Sequence, residues 1–188
     1  TNLIFGKLNY KVSYINIFFK IMKEIDFINS LHKSTSRNYL DRVNDKEFPK
    51  AKAATLAKKY AFDYWDGDRR INYGGYKYIP GRWESVAKKM IDFYQLNSDS
   101  KILDIGCGKG FLLYDFKKLL PDSELFGIDI SEYAITNAKI EIKDKLTLGS
   151  CSKLPWEDNY FDLVISINTF HNLYCYELEK SLIEMERV

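Results

Sequence analysis

The rhythm of apolar positions changes near residue 100. Residues 1–21 mix Asn, Ile, Lys, Tyr and Phe with neither a helical nor a strand period, so they read as a poorly specified tail. From Phe48 to Trp65 a proline in the first turn is followed by Ala, Leu and Lys, which predicts one helix stopped by Asp66-Gly67-Asp68. Residues 66–82 are a connector rich in glycine and aromatic residues. Beyond it Trp83, Val86, Ala87, Met90 and Phe93 or Tyr94 recur at helical spacing toward Leu96. From Lys101 onward, apolar runs at Ile102–Ile105, Glu124–Ile128, Lys145–Leu148 and Phe161–Ile167 read as strands. Amphipathic stretches at Phe111–Leu120, Glu132–Ile142 and Glu177–Val188 read as helices. Strands alternating with helices predict a doubly wound α/β fold with a parallel sheet.

Composition narrows the class. The 188 residues are 46% hydrophobic, 29% charged and 15% aromatic, which fits a globular chain and excludes disorder for most of it. The longest early apolar run, Tyr14 to Phe19, is closed by Lys20 and falls far short of the roughly 20 residues of a membrane span. Cys107, Cys151 and Cys175 have neither zinc-ligand nor disulfide-framework spacing; reduced thiols and a cytoplasmic location are expected, with no metal site. The net charge of +2 conceals an asymmetry. Residues 1–100 hold 18 Lys and Arg against 11 Asp and Glu, and residues 101–188 hold 10 against 15. The first half is therefore the part suited to an anionic partner.

The first predicted strand runs into Leu103-Asp104-Ile105-Gly106-Cys107-Gly108-Lys109-Gly110-Phe111, where a helix begins. Glycines permit a tight turn, and free N–H groups at the helix start favour a negatively charged group. The dinucleotide fingerprint requires glycine at 106, 108 and 111; position 111 is Phe, which disfavours NAD. The second strand ends in Gly127-Ile128-Asp129-Ile130, and Ser131 is placed to cap the next helix. A carboxylate at this strand tip can accept two hydrogen bonds from a ribose diol, which makes Asp129 the nucleoside anchor.

These two segments, with Leu154-Pro155-Trp156-Glu157-Asp158-Asn159-Tyr160-Phe161-Asp162-Leu163-Val164, resemble three motifs of the class I S-adenosylmethionine-dependent methyltransferases over about residues 99–188. The resemblance implies a Rossmann-like α/β sheet of the methyltransferase type, of which only the first four strands are present, in the order 3-2-1-4. It divides the chain into a tail (1–45), a helical and glycine/aromatic lid segment (46–98) and a partial cofactor-binding domain (99–188). It implies S-adenosylmethionine as cofactor, with Gly106, Gly108 and Gly110 along its methionyl end, Asp104 orienting its amino group and Asp129 on its ribose. Cys107, Ile130, Ser150, Cys151 and Asn168 complete the implied site. Family members often carry an acidic residue after the glycine that follows strand three; here Gly149 is followed by Ser150 and Cys151, weaker acceptors for an adenine amino group.

For the acceptor, the segment after the fourth strand, Ser166-Ile167-Asn168-Thr169-Phe170-His171-Asn172, offers His171 as a base, or as a residue that orients the loop. The connector supplies Arg69, Arg70, Lys77 and Arg82 to grip a carboxylate or phosphate, and Trp65, Tyr73 and Tyr76 to cover an apolar face, either as a lid or as a surface-packed loop. A small polar, anionic metabolite is the expected acceptor, with no membrane partner and with self-association open. An RNA-directed enzyme or a cofactor-binding scaffold without catalysis are the alternatives. Nucleic-acid bases are disfavoured because no proline follows Pro155 and Tyr174 precedes Cys175. Met22 is a possible natural start. With four strands, Phe161–Ile167 would be an exposed apolar edge, so a parent chain continuing past Val188 is expected.

Overall fold

The computed structural model describes residues 3–6, 25–31 and 39–188. Among them, five strands form one sheet in the order β1-β5-β2-β3-β4. Strands β2 (Lys101–Ile105), β3 (Glu124–Asp129), β4 (Leu146–Leu148) and β5 (Leu163–Ser166) run parallel. They reproduce the expected order, with β2 and β3 in register from Lys101 opposite Glu124 to Ile105 opposite Ile128. The fold is a Rossmann-like α/β sheet, as the strand and helix pattern leads one to expect.

Strand β1 (Leu3–Gly6) corrects two expectations. It lies in the segment read as a tail without a strand, and it pairs antiparallel with β5, Leu3 opposite Ser166 and Gly6 opposite Leu163. The edge expected to be open at β5 is therefore occupied by backbone from the start of the chain. The rest of the tail up to Glu24 lies outside the described residues, Met22 included. A short helix, α1 (Tyr39–Val43), also falls in the segment read as tail.

Alternation along the strands builds two cores. Ile102, Leu163 and Ile165 face one side, where they pack with Val86, Ala87 and Met90 of α4 (Glu84–Tyr94) and Leu112, Leu113 and Phe116 of α5 (Phe111–Leu119). Leu103, Ile105 and Val164 face the other, against Met185 of α7 (Cys175–Arg187) and Val188. Each fully buried apolar side chain of this size contributes roughly 1.5–3 kcal/mol of transfer free energy.

Two helices differ from expectation for tertiary reasons. The helix read over Phe48–Trp65 splits into α2 (Lys50–Ala57) and α3 (Phe62–Trp65) around Tyr60, which adopts φ 49°. The Tyr60 carbonyl is used instead by the Trp65 indole N–H at 3.2 Å and by the Ser131 hydroxyl. The helix read over Glu132–Ile142 stops after α6 (Glu132–Thr136). Residues beyond it turn inward, the Lys139 amide bonds the Lys109 carbonyl at 3.3 Å, and Ile142 becomes fully buried beside Gly110. Among the described residues no helix is long and apolar enough to cross a membrane.

Candidate functional site

The carboxyl ends of β2, β3, β4 and β5 face the same way because the strands are parallel, and this is the end of an open α/β sheet where ligands bind. At the end of β2 the backbone enters the left-handed region at Gly106 (φ 77°) and Gly108 (φ 55°). The turn is pinned to β3, since the amides of Gly106 and Cys107 both donate to the Ile128 carbonyl, at 2.7 and 3.2 Å. Asp129, at the tip of β3, accepts from the Gly108 amide at 2.8 Å through one oxygen and from the Ser131 amide at 2.8 Å through the other. The Ser131 hydroxyl caps α6 by accepting from the Ala134 amide at 3.0 Å and also accepts the Trp65 indole N–H at 2.8 Å.

Side chains of this protein already fill the space that two of these glycines leave. A Cβ on Gly108 would lie 2.8 Å from the Trp65 ring, and one on Gly106 would overlap Thr169. Glycine is thus required here by the close approach of Trp65 and Thr169 to the loop backbone.

Above the loop lies a cavity of about 310 Å³. Its walls include Asp104, Gly106, Cys107, Gly108, Asp129, Ile130, Ser150, Cys151 and Asn168 from the sheet side, and Trp65, Tyr73 and Tyr76 from the connector. The expected cofactor residues therefore converge, with one exception. Gly110 does not line the cavity; it caps α5 at φ 73° and packs against Ile142 and Leu146. Tyr60, Tyr64, Trp83 and Thr169 line the cavity without having been singled out from sequence. Thr169 was adjacent to a chosen residue; Tyr60 sits at the break between α2 and α3, Tyr64 in α3 and Trp83 just before α4, and how these segments pack on the sheet is not a local signal.

The cavity carries an electrostatic signature. Asp104 is buried, and burial, reinforced by the nearby Asp129 charge, pushes its carboxyl up to about 7. Burial also raises Asp129, against the opposing pull of the Ser131, Gly108 and Ile130 amides. Two carboxylates in a low-dielectric wall favour a cationic guest. Cys107 is held as the thiol because burial raises its pKa, so it is not an activated nucleophile.

A second cavity, of about 720 Å³, adjoins the first and shares Tyr64, Tyr73, Tyr76, Trp83, Ile167, Asn168 and Asn172 with it. Arg69, Lys77, Arg82 and His171 line this second space, and among the described residues no Asp or Glu does. Arg69 also donates to the carbonyls of Asn72 and Tyr73, bracing the wall it belongs to. His171 is exposed, and desolvation lowers its pKa from the ordinary value. The expectation for Arg70 is corrected: it lines neither cavity. Its guanidinium binds Asp68 at 2.7 Å, Glu47 at 2.9 Å and Asp45 at 3.3 Å and lies over the Phe48 ring at 4.5 Å. The connector's aromatics form a stacked series, with Trp65 parallel to Tyr73 at 5.4 Å and Tyr76 stacked on Phe111 at 5.0 Å.

Residues 103–188, which contain the loop, Asp129 and the wall after β5, match the family described as a methyltransferase domain. This segment, 86 of the 188 residues, is similar to a methyltransferase domain. The chain is 33% identical over 90 residues, 44% of its length, to a demethylmenaquinone methyltransferase of Symbiobacterium thermophilum. It is 33% identical over 101 residues, 47% of the chain, to an uncharacterized methyltransferase of Schizosaccharomyces pombe. A malonyl-[acyl-carrier protein] O-methyltransferase of Bacillus anthracis is 30% identical over 113 residues, 54% of the chain. The chain covers 36%, 35% and 41% of these relatives' own lengths, well under half of each. A solved structure from Methanococcus maripaludis, described as a candidate S-adenosyl-L-methionine-dependent methyltransferase, shares the fold at a TM-score of 0.50 and 18% identity, over 83% of this chain and 62% of that one.

Proposed function

We propose that this chain belongs to an enzyme that binds S-adenosylmethionine in the first cavity and methylates a small polar, anionic acceptor held in the second. The observation that carries the reading is the pairing of two adjoining cavities of opposite electrostatic character across one wall of Tyr73, Tyr76 and Asn168. Asp104 and Asp129 suit a ligand with a cationic methionyl end and a ribose: the first lies at the buried end of β2 in the cavity wall, the second has its N–H partners in place and further lone pairs to offer. When bound, that cofactor supplies an activated methyl group for in-line displacement.

The chain's own residues then have to align the acceptor and exclude water. Arg69, Lys77 and Arg82 attract and orient its anionic group, and the stacked Trp65, Tyr73 and Tyr76 cover the junction. His171, whose imidazole is held below its ordinary pKa by desolvation, lines the second cavity, where it would take the proton that an acceptor hydroxyl or amine releases. A cavity enclosed by three cations supports a small anion over RNA, whose binding uses an extended basic surface. Calorimetry with S-adenosylhomocysteine, followed by labelled methyl transfer to pools of carboxylate and phosphate metabolites, tests both halves. Binding without any transfer to these pools would leave a cofactor-binding protein and overturn the catalytic half; no binding would overturn the whole.

A further inference from the structure

We propose that Lys109 and Asp66 form a latch through which the glycine loop positions the wall between the two cavities, making Lys109 a positioning residue for methyl transfer. The inference rests on the reading of the second cavity as the acceptor site. Lys109 sits between Gly108 and Gly110, yet its side chain leaves the loop: it lines neither cavity and is only 8% exposed. Its ammonium donates to Asp66 Oδ2 at 2.6 Å and to the Tyr76 carbonyl at 2.9 Å. Asp66 in turn accepts the Tyr133 hydroxyl at 2.8 Å on the same oxygen and the Tyr76 amide at 2.9 Å on the other.

Tyr76 is consequently held on both sides of its backbone, at the amide by Asp66 together with the Trp65 carbonyl at 3.0 Å, and at the carbonyl by Lys109. Its ring, one of the few groups facing both cavities, lies 5.2 Å from Trp65, 4.6 Å from Tyr73 and 5.0 Å from Phe111. Burial opposes charge on Asp66, but Lys109, Tyr133 and the Tyr76 amide hold its carboxyl below the ordinary value. Removing either charge would strand the other in a sparsely hydrated site, so the pair acts as a unit. A shift of the loop backbone is thereby passed to Tyr76 without any ligand bridging the two.

Hydrogen exchange of the full 188-residue chain, with and without S-adenosylhomocysteine, tests the latch in Lys109→Met, Lys109→Arg and Asp66→Asn. Without ligand, the Tyr76 amide, left to the Trp65 carbonyl and a loosened residue 66, should exchange severalfold faster in Lys109→Met and Asp66→Asn than in the wild type, and Lys109→Arg should restore most of the protection. With ligand, residues 72–79 should gain protection in the wild type and not in Lys109→Met, while affinity changes less than threefold. Should Lys109→Met fail to fold, Tyr133→Phe, which spares both charges, should still speed Tyr76 exchange about threefold. Unchanged Tyr76 exchange in the variants, or no rescue by Arg, would overturn the latch. Failure of the wild type to bind S-adenosylhomocysteine would overturn the cofactor reading instead, and the comparison without ligand would still decide the latch.

Discussion

Asp104 binds a proton in the folded chain far more readily than in the unfolded one, because burial and the Asp129 charge raise it from 3.8 to about 7. Between pH 4 and 7 the folded state therefore holds more protons than the unfolded state, and stability falls as pH rises through that window. Urea denaturation at pH 5 and pH 8 should show this loss in the wild type and a smaller loss in Asp104→Asn; equal pH dependence in the two would reject the assignment. A cationic guest needs the carboxylate, so affinity for S-adenosylhomocysteine should decline below pH 7 in the wild type. Asp129→Ala removes acceptors whose charge-assisted bonds are each worth roughly 1.5–3 kcal/mol, and calorimetry should find affinity reduced at least tenfold. Arg70 shows why single residues mislead. A cation in a charged stretch reads the same whether it faces a ligand or Asp45, Glu47 and Asp68, as it does here.

At the scale of elements, the loop between β2 and α5 tolerates little. Gly108→Ala combines a left-handed backbone with a methyl group 2.8 Å from the Trp65 ring, and strain plus overpacking should cost about 2 kcal/mol or more. Denaturant titration measures it; a neutral result would mean that α3 moves away freely. The four parallel strands were legible because each is a short apolar run ended by polar or glycine residues. Asp104, Asp129 and the glycines were legible because loop and strand tip are local signals. The break between α2 and α3 was not, since it depends on Trp65 and Ser131 competing for the Tyr60 carbonyl from 5 and 71 residues away. The early stop of α6 likewise reflects the burial of Ile142, and β1 depends on pairing with a strand far along the chain.

For the molecule as a whole, the charge asymmetry of the sequence acquires a location. Excess positive charge from residues 1–100 reaches the second cavity through Arg69, Lys77 and Arg82, while the first cavity is walled on its sheet side by Asp104 and Asp129. Once an acceptor is found, Arg82→Ala should raise its KM severalfold with cofactor affinity unchanged, whereas Arg70→Ala should leave KM alone and act on stability only. Steady-state kinetics beside calorimetry separates the two, and a raised KM in Arg70→Ala would contradict its placement. The indole of Trp65 gives this division of labour an optical signal. It is 6% exposed, hydrogen-bonded to Ser131 and parallel to Tyr73 at the edge of the first cavity. Ultraviolet-excited emission should therefore change in intensity and wavelength as the first cavity fills, giving a label-free titration that Trp65→Phe weakens, the remaining change coming from Trp83, which also lines that cavity, and not from Trp156, which does not.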